Sequence, residues 1–327
     1  MSNIAVFVPH SGCPQRCSFC DQHTISGQSQ RVTGQDVQSI LTKALENPRH
    51  AENQIAFFGG SFTAIAREYM LELLDATVPF REAFAGIRIS TRPDAIDEEI
   101  LSILKQYDVR AIELGAQSMD EEVLRLNRRG HSAQDVVRAA ALIRENGFEL
   151  GVQMMTGLPG DTPQKAIETA KALIALKPAT VRIYPTVVLE GTLLAELYRA
   201  GEFLPQSLEE AIELCAELIP LFEEAGVRII RVGLHASELL ESRYVAGAWH
   251  PAFREKCLSR IWLQKAERAL ADRECGSYTL AVGSAYLSQM VGQKKENILA
   301  LEKAGYRIKV IPEAGLAEYQ VKIVEQD

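Results

Sequence analysis

Residues 4–20 read IAVFVPHSGCPQRCSFC, an apolar run followed by a loop with three cysteines. The run Ile4–Pro9 contains β-branched and aromatic residues and is bounded by turn formers, a pattern that predicts a buried strand. Cys13, Cys17 and Cys20 then follow at a spacing of C-x3-C-x2-C. Because the active sites of parallel α/β folds lie at the carboxyl ends of their strands, this loop is the first candidate for function.

Clustered cysteines are typical of a metal site in a reducing compartment, whereas scattered ones are more often small buried hydrophobes. Thiolates are the ligands of iron–sulfur clusters, and three local ligands leave one iron of a cubane cluster open to a reactant. Zinc is a second interpretation, with His10 or His23 as the fourth ligand. Chance clustering is a third, and the spacing alone leaves all three open. The other cysteines are scattered, at Cys215, Cys257 and Cys275.

Strand patterns recur along most of the chain and alternate with helical patterns. The further strands are predicted at Gln54–Phe58, Gly86–Ser90, Ala111–Leu114, Leu150–Met155, Thr180–Tyr184 and Arg228–Val232. Ser132 with Asp135 fits a capping box, and Thr162 before Pro163 fits a helix start. An alternation repeated about six times predicts an α/β fold, in which helices surround a parallel sheet that is either a barrel or open.

Glycines and polar side chains follow consecutive strands of this predicted sheet. They are Gly59 and Gly60 after the second strand, Arg92 after the third, Gln117 after the fourth and the turn 157–160 after the fifth. Each has an ordinary structural explanation, such as a tight turn, a helix cap or a solvated charge. Because the carboxyl ends of parallel strands meet at one edge, their joint occurrence predicts a shared site.

The cysteine loop, with Phe19 in a C-x3-C-x-aromatic-C pattern, resembles the signature of the radical S-adenosylmethionine (SAM) superfamily. This resemblance implies a [4Fe–4S] cluster held by Cys13, Cys17 and Cys20, with SAM chelated to the fourth iron. It also implies a partial (β/α)6 TIM-like barrel. The implied chemistry is reductive cleavage of SAM to methionine and a 5′-deoxyadenosyl radical, which removes a hydrogen from the substrate.

The ordered motifs GGSFT, STRPD, ELGAQS, NRRGH and GLPG are similar to those of the subgroup containing the catalytic subunit of Elongator. They are also similar to those of the oxygen-independent coproporphyrinogen oxidases. The similarity covers roughly residues 1–235. It implies that the SAM contacts come from Gly59, Gly60, Ser61, Ser90, Gln117, Arg129, Gln153 and Tyr184.

Within this set, the paired glycines are expected at the amino end of SAM and Arg129 at its carboxylate. Gln117 and Gln153 are expected at the ribose. Ser90 stands where the porphyrinogen enzymes carry a glutamate, which is a departure from their pattern at this contact. Tyr184 is expected to face the cavity, where it contacts SAM or substrate, and a packed core tyrosine is the alternative.

The pattern changes near residue 240, which divides a barrel domain (1–240) from a small α+β domain (241–327). The second domain is predicted to contain helices at Ala252–Ala271, Ser284–Met290 and Glu296–Ala304, and strands at Tyr278–Val282, Arg307–Ile311 and Tyr319–Ile323. Val291–Ile298 resembles the G-x-x-G loop of a KH domain, with Lys295 in place of the second glycine. Lys294 and Lys295 could meet a phosphate at the following helix start, and an ordinary turn is the alternative.

Composition narrows the class of function. The net charge of −8 and a pI near 5.5 argue against broad electrostatic binding to nucleic acid, although a local basic patch is compatible with them. The chain has neither a long apolar run nor the basic start of a signal peptide, so a cytoplasmic protein without a membrane segment is expected. The resemblance further implies an external one-electron donor of the flavodoxin or ferredoxin type.

The substrate is open at this stage. An RNA base, as in tRNA, is the first hypothesis, through the subgroup and the KH-like loop, and a tetrapyrrole or small metabolite is the second. A non-catalytic iron–sulfur or zinc protein that binds RNA is the rival from another class. The resemblance to the Elongator subunit stops before its acetyltransferase domain, so an acetyl-CoA reaction is not implied.

Overall fold

A computed structural model of the chain describes residues 3–8, 17–21 and 31–324. Seven parallel strands form its largest sheet, in the order β1-β2-β3-β4-β5-β6-β8. These strands and the short β7 are β1 (Asn3–Val8), β2 (Gln54–Gly59), β3 (Ile87–Thr91), β4 (Val109–Gln117), β5 (Glu149–Thr156), β6 (Thr180–Pro185), β7 (Val187–Leu189) and β8 (Arg228–Val232). All seven strands that the sequence predicts for this region are therefore present. Within the described residues, β1 and β8 do not pair, so the barrel is open between them.

Helices lie between successive strands, as expected for right-handed crossovers in a parallel sheet. They are α1 (Gly34–Ala44), α2 (Arg67–Asp75), α3 (Glu98–Gln106), α4 (Glu121–Leu126), α5 (Ala133–Glu145), α6 (Pro163–Ala175), α7 (Leu193–Arg199), α8 (Leu208–Glu224) and α9 (Glu238–Arg243). The capping box at Ser132 and Asp135 is confirmed, as is the cap at Thr162 before Pro163. None of the helices in the described ranges is long and apolar enough to cross a membrane.

The period of two along the strands separates the helix-facing core from the interior of the barrel. On β5, Met154 is fully buried, whereas its neighbours Gln153 and Met155 are half-buried and line a cavity. On β6, Ile183 is buried, and Arg182 and Tyr184 line the same cavity. The alternation thus gives the barrel an apolar outer layer and an interior in which polar and apolar side chains are mixed.

The chain divides into two compact units, the first comprising Met1–Gln206 with Leu221–Trp249 and the second Ser207–Pro220 with His250–Asp327. Strand β9 (Tyr244–Gly247) pairs with β7 and belongs to the first unit, which extends to Trp249.

The second unit contains a three-stranded sheet in the order β11-β10-β12. Its elements are α10 (Phe253–Leu270), β10 (Gly276–Val282), α11 (Leu287–Val291), α12 (Glu296–Lys303), β11 (Tyr306–Pro312) and β12 (Lys322–Val324). Trp262, Leu280 and Leu301 are fully buried in its core. In the predicted KH-like turn, Gly292, Lys294 and Lys295 all have positive φ angles, of 77°, 50° and 65°.

Candidate functional site

A cavity of about 700 Å³ lies in the first unit, lined by residues of the parallel sheet and of the cysteine loop. The volume is in the range of small-molecule binding sites. Its lining brings together six of the residues that the sequence predicts for the site, namely Cys20, Gly59, Ser90, Gln117, Gln153 and Tyr184. Cys17, Gly60, Ser61 and Arg129 are not among the lining residues, and Cys13 lies outside the described ranges.

The described part of the cysteine loop is held by hydrogen bonds from other motifs. The Ser18 hydroxyl donates to Asn127 Oδ1 at 2.7 Å, and the Ser18 carbonyl accepts from the Leu194 amide at 2.9 Å. Asn127 is fully buried and donates to the Pro159 carbonyl at 3.0 Å. Hydrogen bonds within the protein therefore hold the described part of the loop against the NRRGH and GLPG motifs.

Cys17 is buried and Cys20 half-buried, and the Cys20 amide donates to the Cys17 carbonyl at 3.2 Å. Within residues 3–8, 17–21 and 31–324 there is no cluster of three or more Cys, His, Asp or Glu side chains suited to a metal. The predicted third ligand, Cys13, and the alternative zinc ligands His10 and His23 all lie outside those ranges. Of the three predicted thiols, Cys20 thus lines the cavity, and Cys17 lies buried three residues before it.

Gly59, the last residue of β2, leaves bare backbone in the cavity lining. Gly59 has a φ of 117°, and a Cβ at this position would lie 2.7 Å from the Val8 carbonyl oxygen. Any larger residue would clash with this oxygen, and the φ angle by itself also disfavours L side chains. Ser61 is buried instead, and its hydroxyl lies 2.8 Å from Thr91 Oγ1 and accepts from the Arg92 amide at 3.0 Å. Ser61 therefore anchors the turn to the end of β3.

Gln117 ends β4 in a left-handed conformation, with a φ of 66°. Its side chain lines the cavity, and its buried Oε1 has no hydrogen-bond partner among the described residues. A buried acceptor without a donor costs about 1–3 kcal/mol, so such atoms in native proteins are usually satisfied by a ligand or water. Gln117 therefore fits a ligand that presents a hydroxyl or amine to this part of the cavity.

A buried carboxylate organises the cavity floor. Glu113, only 1% exposed, accepts from Arg182 Nε at 2.7 Å and from Arg182 Nη2 at 3.1 Å. It also accepts from Gln153 Nε2 at 2.9 Å and from Arg88 Nη1 at 3.3 Å. Gln153 Nε2 lies 3.3 Å from the Ser90 hydroxyl as well, so these contacts fix the orientation of its amide. Although burial lowers it, hydrogen bonds and charge from Glu113 hold the pKa of Arg182 above its usual value.

Arg129 lies against the cysteine loop. Its guanidinium donates to Cys17 Sγ at 3.0 Å, to the Gly115 carbonyl at 2.6 Å and to His131 Nε2 at 3.3 Å. The Arg129 carbonyl accepts from Arg92 Nη2 at 2.7 Å, which fixes the backbone. Among the described residues, these bonds use three of the five guanidinium N–H groups, and the other two can bind an anion. Arg92, predicted as a functional strand-end residue, thus positions Arg129.

His131 gives this region a pH dependence that can be measured. Burial, and then the charge of Arg129, lower the pKa of His131 to about 4. Unfolded histidine titrates near 6.5, so as the pH falls from 6.5 to 4 the unfolded state binds protons first and stability is lost. We expect this group to reduce the unfolding free energy by about 2 kcal/mol between pH 7.5 and 5.

The measurement is urea unfolding at both pH values. His131→Gln should make the loss of unfolding free energy between the two pH values smaller by about 2 kcal/mol. His50→Gln, which lies outside the site, should leave this loss unchanged. An equal pH dependence in wild type and His131→Gln would contradict the buried neutral imidazole.

Comparison with known families decides the class of this site. The profile described as "Radical SAM superfamily" matches residues 7–173, and that of the "Radical_SAM C-terminal domain" matches residues 178–262. The chain belongs to the radical SAM superfamily. It is therefore an enzyme, and its cofactors are a [4Fe–4S] cluster and SAM. Like other radical SAM enzymes, it requires a reductant.

The relatives of this radical SAM enzyme include one uncharacterized protein and others with a named activity. An uncharacterized protein of Methanocaldococcus jannaschii is 29% identical over 73% of this chain and 77% of its own length. A tRNA uridine(34) acetyltransferase of Methanocaldococcus infernus is 36% identical over 64% of this chain and 48% of its own length. The chain thus spans about half of that acetyltransferase.

Solved structures confirm the radical SAM barrel. The archaeal Elp3 of Methanocaldococcus infernus has a TM-score of 0.65 at 23% identity, over 87% of this chain and 66% of that one. Coproporphyrinogen III oxidase of Escherichia coli has a TM-score of 0.51 at 23% identity, over 69% and 52%. These likenesses concern the fold, and they bear out the predicted partial barrel.

Several residues of this radical SAM site were not assigned a role from the sequence. Asn127 and Glu113 lie in the quoted NRRGH and ELGAQS motifs, which was the only signal for them. Arg88 and Arg182 lie inside strands, at positions whose period of two makes them face the barrel interior. An arginine on the inner side of a predicted buried strand needs a partner, and that is the signal by which both could have been found.

Proposed function

We propose that this radical SAM enzyme modifies a base of RNA, with tRNA as the first class to test. The observation that carries the proposal is the 36% identity to a tRNA uridine(34) acetyltransferase. The aligned region covers 48% of that relative, so acetyl transfer is not part of the proposal. When bound, the cluster and SAM supply a 5′-deoxyadenosyl radical that removes a hydrogen from the substrate, while the chain binds, orients and excludes water.

In this proposal Cys13, Cys17 and Cys20 hold the cluster. Gly59 and Gly60 lie at the amino end of SAM, where the bare backbone allows close approach, and Ser61 holds their turn in place. This arrangement is supported by the position of Gly59 in the cavity lining, whereas the crowding that a Cβ would meet there comes from the Val8 backbone of β1.

Gln117 and Gln153 are proposed to bind the ribose of SAM. The unsatisfied Oε1 of Gln117 supports this role, since a ribose hydroxyl would donate to it. Arg129 is proposed to bind the SAM carboxylate through the N–H groups that its three protein bonds leave over. Its contact with Cys17 would keep that carboxylate close to the cluster.

Ser90 and Tyr184 complete the proposed contacts. Burial raises the pKa of Tyr184, so its phenol stays neutral and can donate a hydrogen bond into the cavity. Ser90 has a shorter side chain than glutamate, and this leaves more room beside Gln153. We propose that the electron comes from an external one-electron donor of the flavodoxin or ferredoxin type.

The test uses anaerobically reconstituted enzyme, SAM, dithionite and bulk tRNA from a strain that lacks the protein. We expect 5′-deoxyadenosine to form several-fold faster with this tRNA than without RNA, and a nucleoside of new mass to appear after digestion. DNA of similar length is the matched control and should leave the basal rate unchanged. An RNA-independent rate together with unchanged nucleosides would contradict the RNA proposal without affecting the enzyme class.

A further inference from the structure

The guanidinium of Arg129 is a buried charge that meets no carboxylate among the described residues. Arg129 is 7% exposed, and its guanidinium donates to Cys17 Sγ, the Gly115 carbonyl and His131 Nε2. Outside the described residues, Asp and Glu occur only at positions 325 and 327, at the end of the chain. Because buried charges are normally paired, the partner of Arg129 is expected to be an anion other than a side-chain carboxylate.

The ion pair next to Arg129 does not neutralise this charge. Asp94 accepts from Arg92 Nε and from Arg92 Nη2, both at 2.8 Å. Arg92 Nη2 also donates to the Arg129 carbonyl at 2.7 Å, so this pair meets the backbone of Arg129 and brings a carboxylate to Arg92. The anion that the Arg129 guanidinium does meet, once a cluster is bound, is the thiolate of Cys17.

One turn of the chain holds both the cysteine loop and this guanidinium. Asn127 accepts from the Ser18 amide through its carbonyl at 3.3 Å and from the Ser18 hydroxyl through Oδ1 at 2.7 Å. The Arg129 amide donates to the Leu124 carbonyl at 3.0 Å. Since Ser18 directly follows Cys17, and Arg129 lies two residues after Asn127, these bonds fix the guanidinium close to the thiol.

The ring of His131 sets the orientation of the guanidinium. Its Nδ1 lies 3.2 Å from the Ser132 carbonyl, which can only accept, so Nδ1 carries the proton and Nε2 accepts from Arg129 Nε. Arg129 Nη1 is then directed at Cys17 Sγ and Nη2 at the Gly115 carbonyl. The Phe19 ring adds a distant cation–π contact, with its centroid 6.0 Å from Arg129 Cζ.

We propose that Arg129 raises the reduction potential of the cluster through its hydrogen bond to Cys17 Sγ, a proposal that rests on the proposed ligation of the cluster by Cys17. Reduction adds one electron from the external donor to the cluster, and no proton moves because the guanidinium keeps its own. A cation 3.0 Å from a ligand sulfur stabilises the more negative, reduced state more than the oxidised state. This effect precedes SAM binding, so it is separate from the proposed contact of Arg129 with the SAM carboxylate.

The first test is a redox titration of the reconstituted holoenzyme without SAM or RNA, followed by the electron paramagnetic resonance signal of the reduced cluster. Arg129→Gln should make reduction about tenfold less favourable, which corresponds to a potential lower by about 59 mV for one electron. Arg129→Lys keeps the charge but loses the fork of donors, so its potential should lie between the two. Arg128→Gln removes the adjacent, exposed arginine and is the matched control, whose potential should equal that of the wild type.

The second test needs no substitution at Arg129. Wild-type enzyme whose arginines carry nitrogen-15 in their guanidinium groups should show nitrogen-15 coupling in the pulsed resonance spectrum of the reduced cluster. Arg16 directly precedes Cys17 in the sequence, and Arg16→Gln should retain this coupling if Arg129 is its source. Loss of the coupling in Arg16→Gln would overturn the assignment to Arg129.

The outcomes separate this inference from the earlier proposals. An unchanged potential in Arg129→Gln overturns it, even where that variant binds SAM more weakly, and such a result leaves the proposed SAM contact in place. If Arg129→Gln does not fold or hold a cluster, the labelled wild type decides, and absence of the coupling overturns the inference. A wild-type enzyme without any iron–sulfur signal overturns the ligation by Cys17 and the inference together. Neither measurement contains RNA, so the RNA proposal stands or fails independently.

Discussion

Replacement of Cys17 by alanine should reduce the formation of 5′-deoxyadenosine to background and lower the iron and sulfide content of the enzyme. Cys17 is buried, and its Sγ accepts a hydrogen bond from Arg129 at 3.0 Å. Loss of this thiolate removes one of the three proposed cluster ligands and leaves the guanidinium of Arg129 without that acceptor. The assay uses anaerobic reconstitution with dithionite and SAM, followed by chromatography of the nucleoside product.

Cys275 provides the matched control for this experiment. It is the exposed free cysteine of the second unit, and its Sγ makes only a long contact of 3.8 Å to the Ala304 carbonyl. Cys275→Ala should leave both the cluster and the product yield at wild-type levels. Turnover that survives Cys17→Ala would contradict the assigned ligand set. Wild-type protein that holds zinc without iron or sulfide would contradict the cluster, and an intact cluster without product would favour a non-catalytic role.

The strand positions could be predicted because each buried parallel strand is a short apolar run between turn signals. β6 and β8 agree with their predicted ranges to within one residue. β4 is longer than its predicted range Ala111–Leu114, since it continues through Gly115 and Ala116 to Gln117. The pairing of β7 with β9 was not predicted, because three- and four-residue strands give too short a pattern to recognise.

The site was predictable where local motifs follow strand ends, and not where distant side chains meet. Gln117 could be placed at the cavity from its position after β4, but its left-handed backbone has no sequence signal without glycine. Arg129 was expected at a SAM carboxylate, and its contacts with Cys17 and Gly115 depend on how three loops pack. The scattered cysteines were expected to be buried hydrophobes. Cys215 and Cys257 are fully buried, but the expectation is wrong for Cys275, which is exposed in the second unit.

The hydrogen bonds of Glu113 show most clearly that contacts between side chains distant in sequence could not be predicted. Its partners Arg88 and Arg182 lie 25 and 69 residues away in sequence and on separate strands. A charged residue on the inner face of a buried strand must have a partner, but only the order of the strands in the sheet shows which residue that partner is. The same order places Arg182 opposite Arg231, which lies 49 residues further along the chain.

Glu113→Ala should lower the unfolding free energy by about 3–5 kcal/mol, because it leaves buried guanidinium groups without their shared carboxylate. Arg182 loses both of its bonds to Glu113, whereas Arg88 keeps Glu149 at 2.6 Å and Gln54 at 2.9 Å. The measurement is the free energy of chemical unfolding at pH 7.5. Glu149→Gln is the matched control: this carboxylate is 34% exposed, and its loss should cost about 1 kcal/mol or less.

A double variant separates the charge effect from general damage to the core. If Glu113→Ala is costly because it leaves the Arg182 charge without a partner, then adding Arg182→Met should recover part of the lost stability. Strictly additive losses would contradict this account. Glu113→Gln, which keeps the shape of the side chain, gives a further test. It should cost less stability than Glu113→Ala, because its amide oxygen can still accept a hydrogen bond from Arg182. A loss as large as that of Glu113→Ala would show that the negative charge, and not the acceptor alone, holds Arg182 in place.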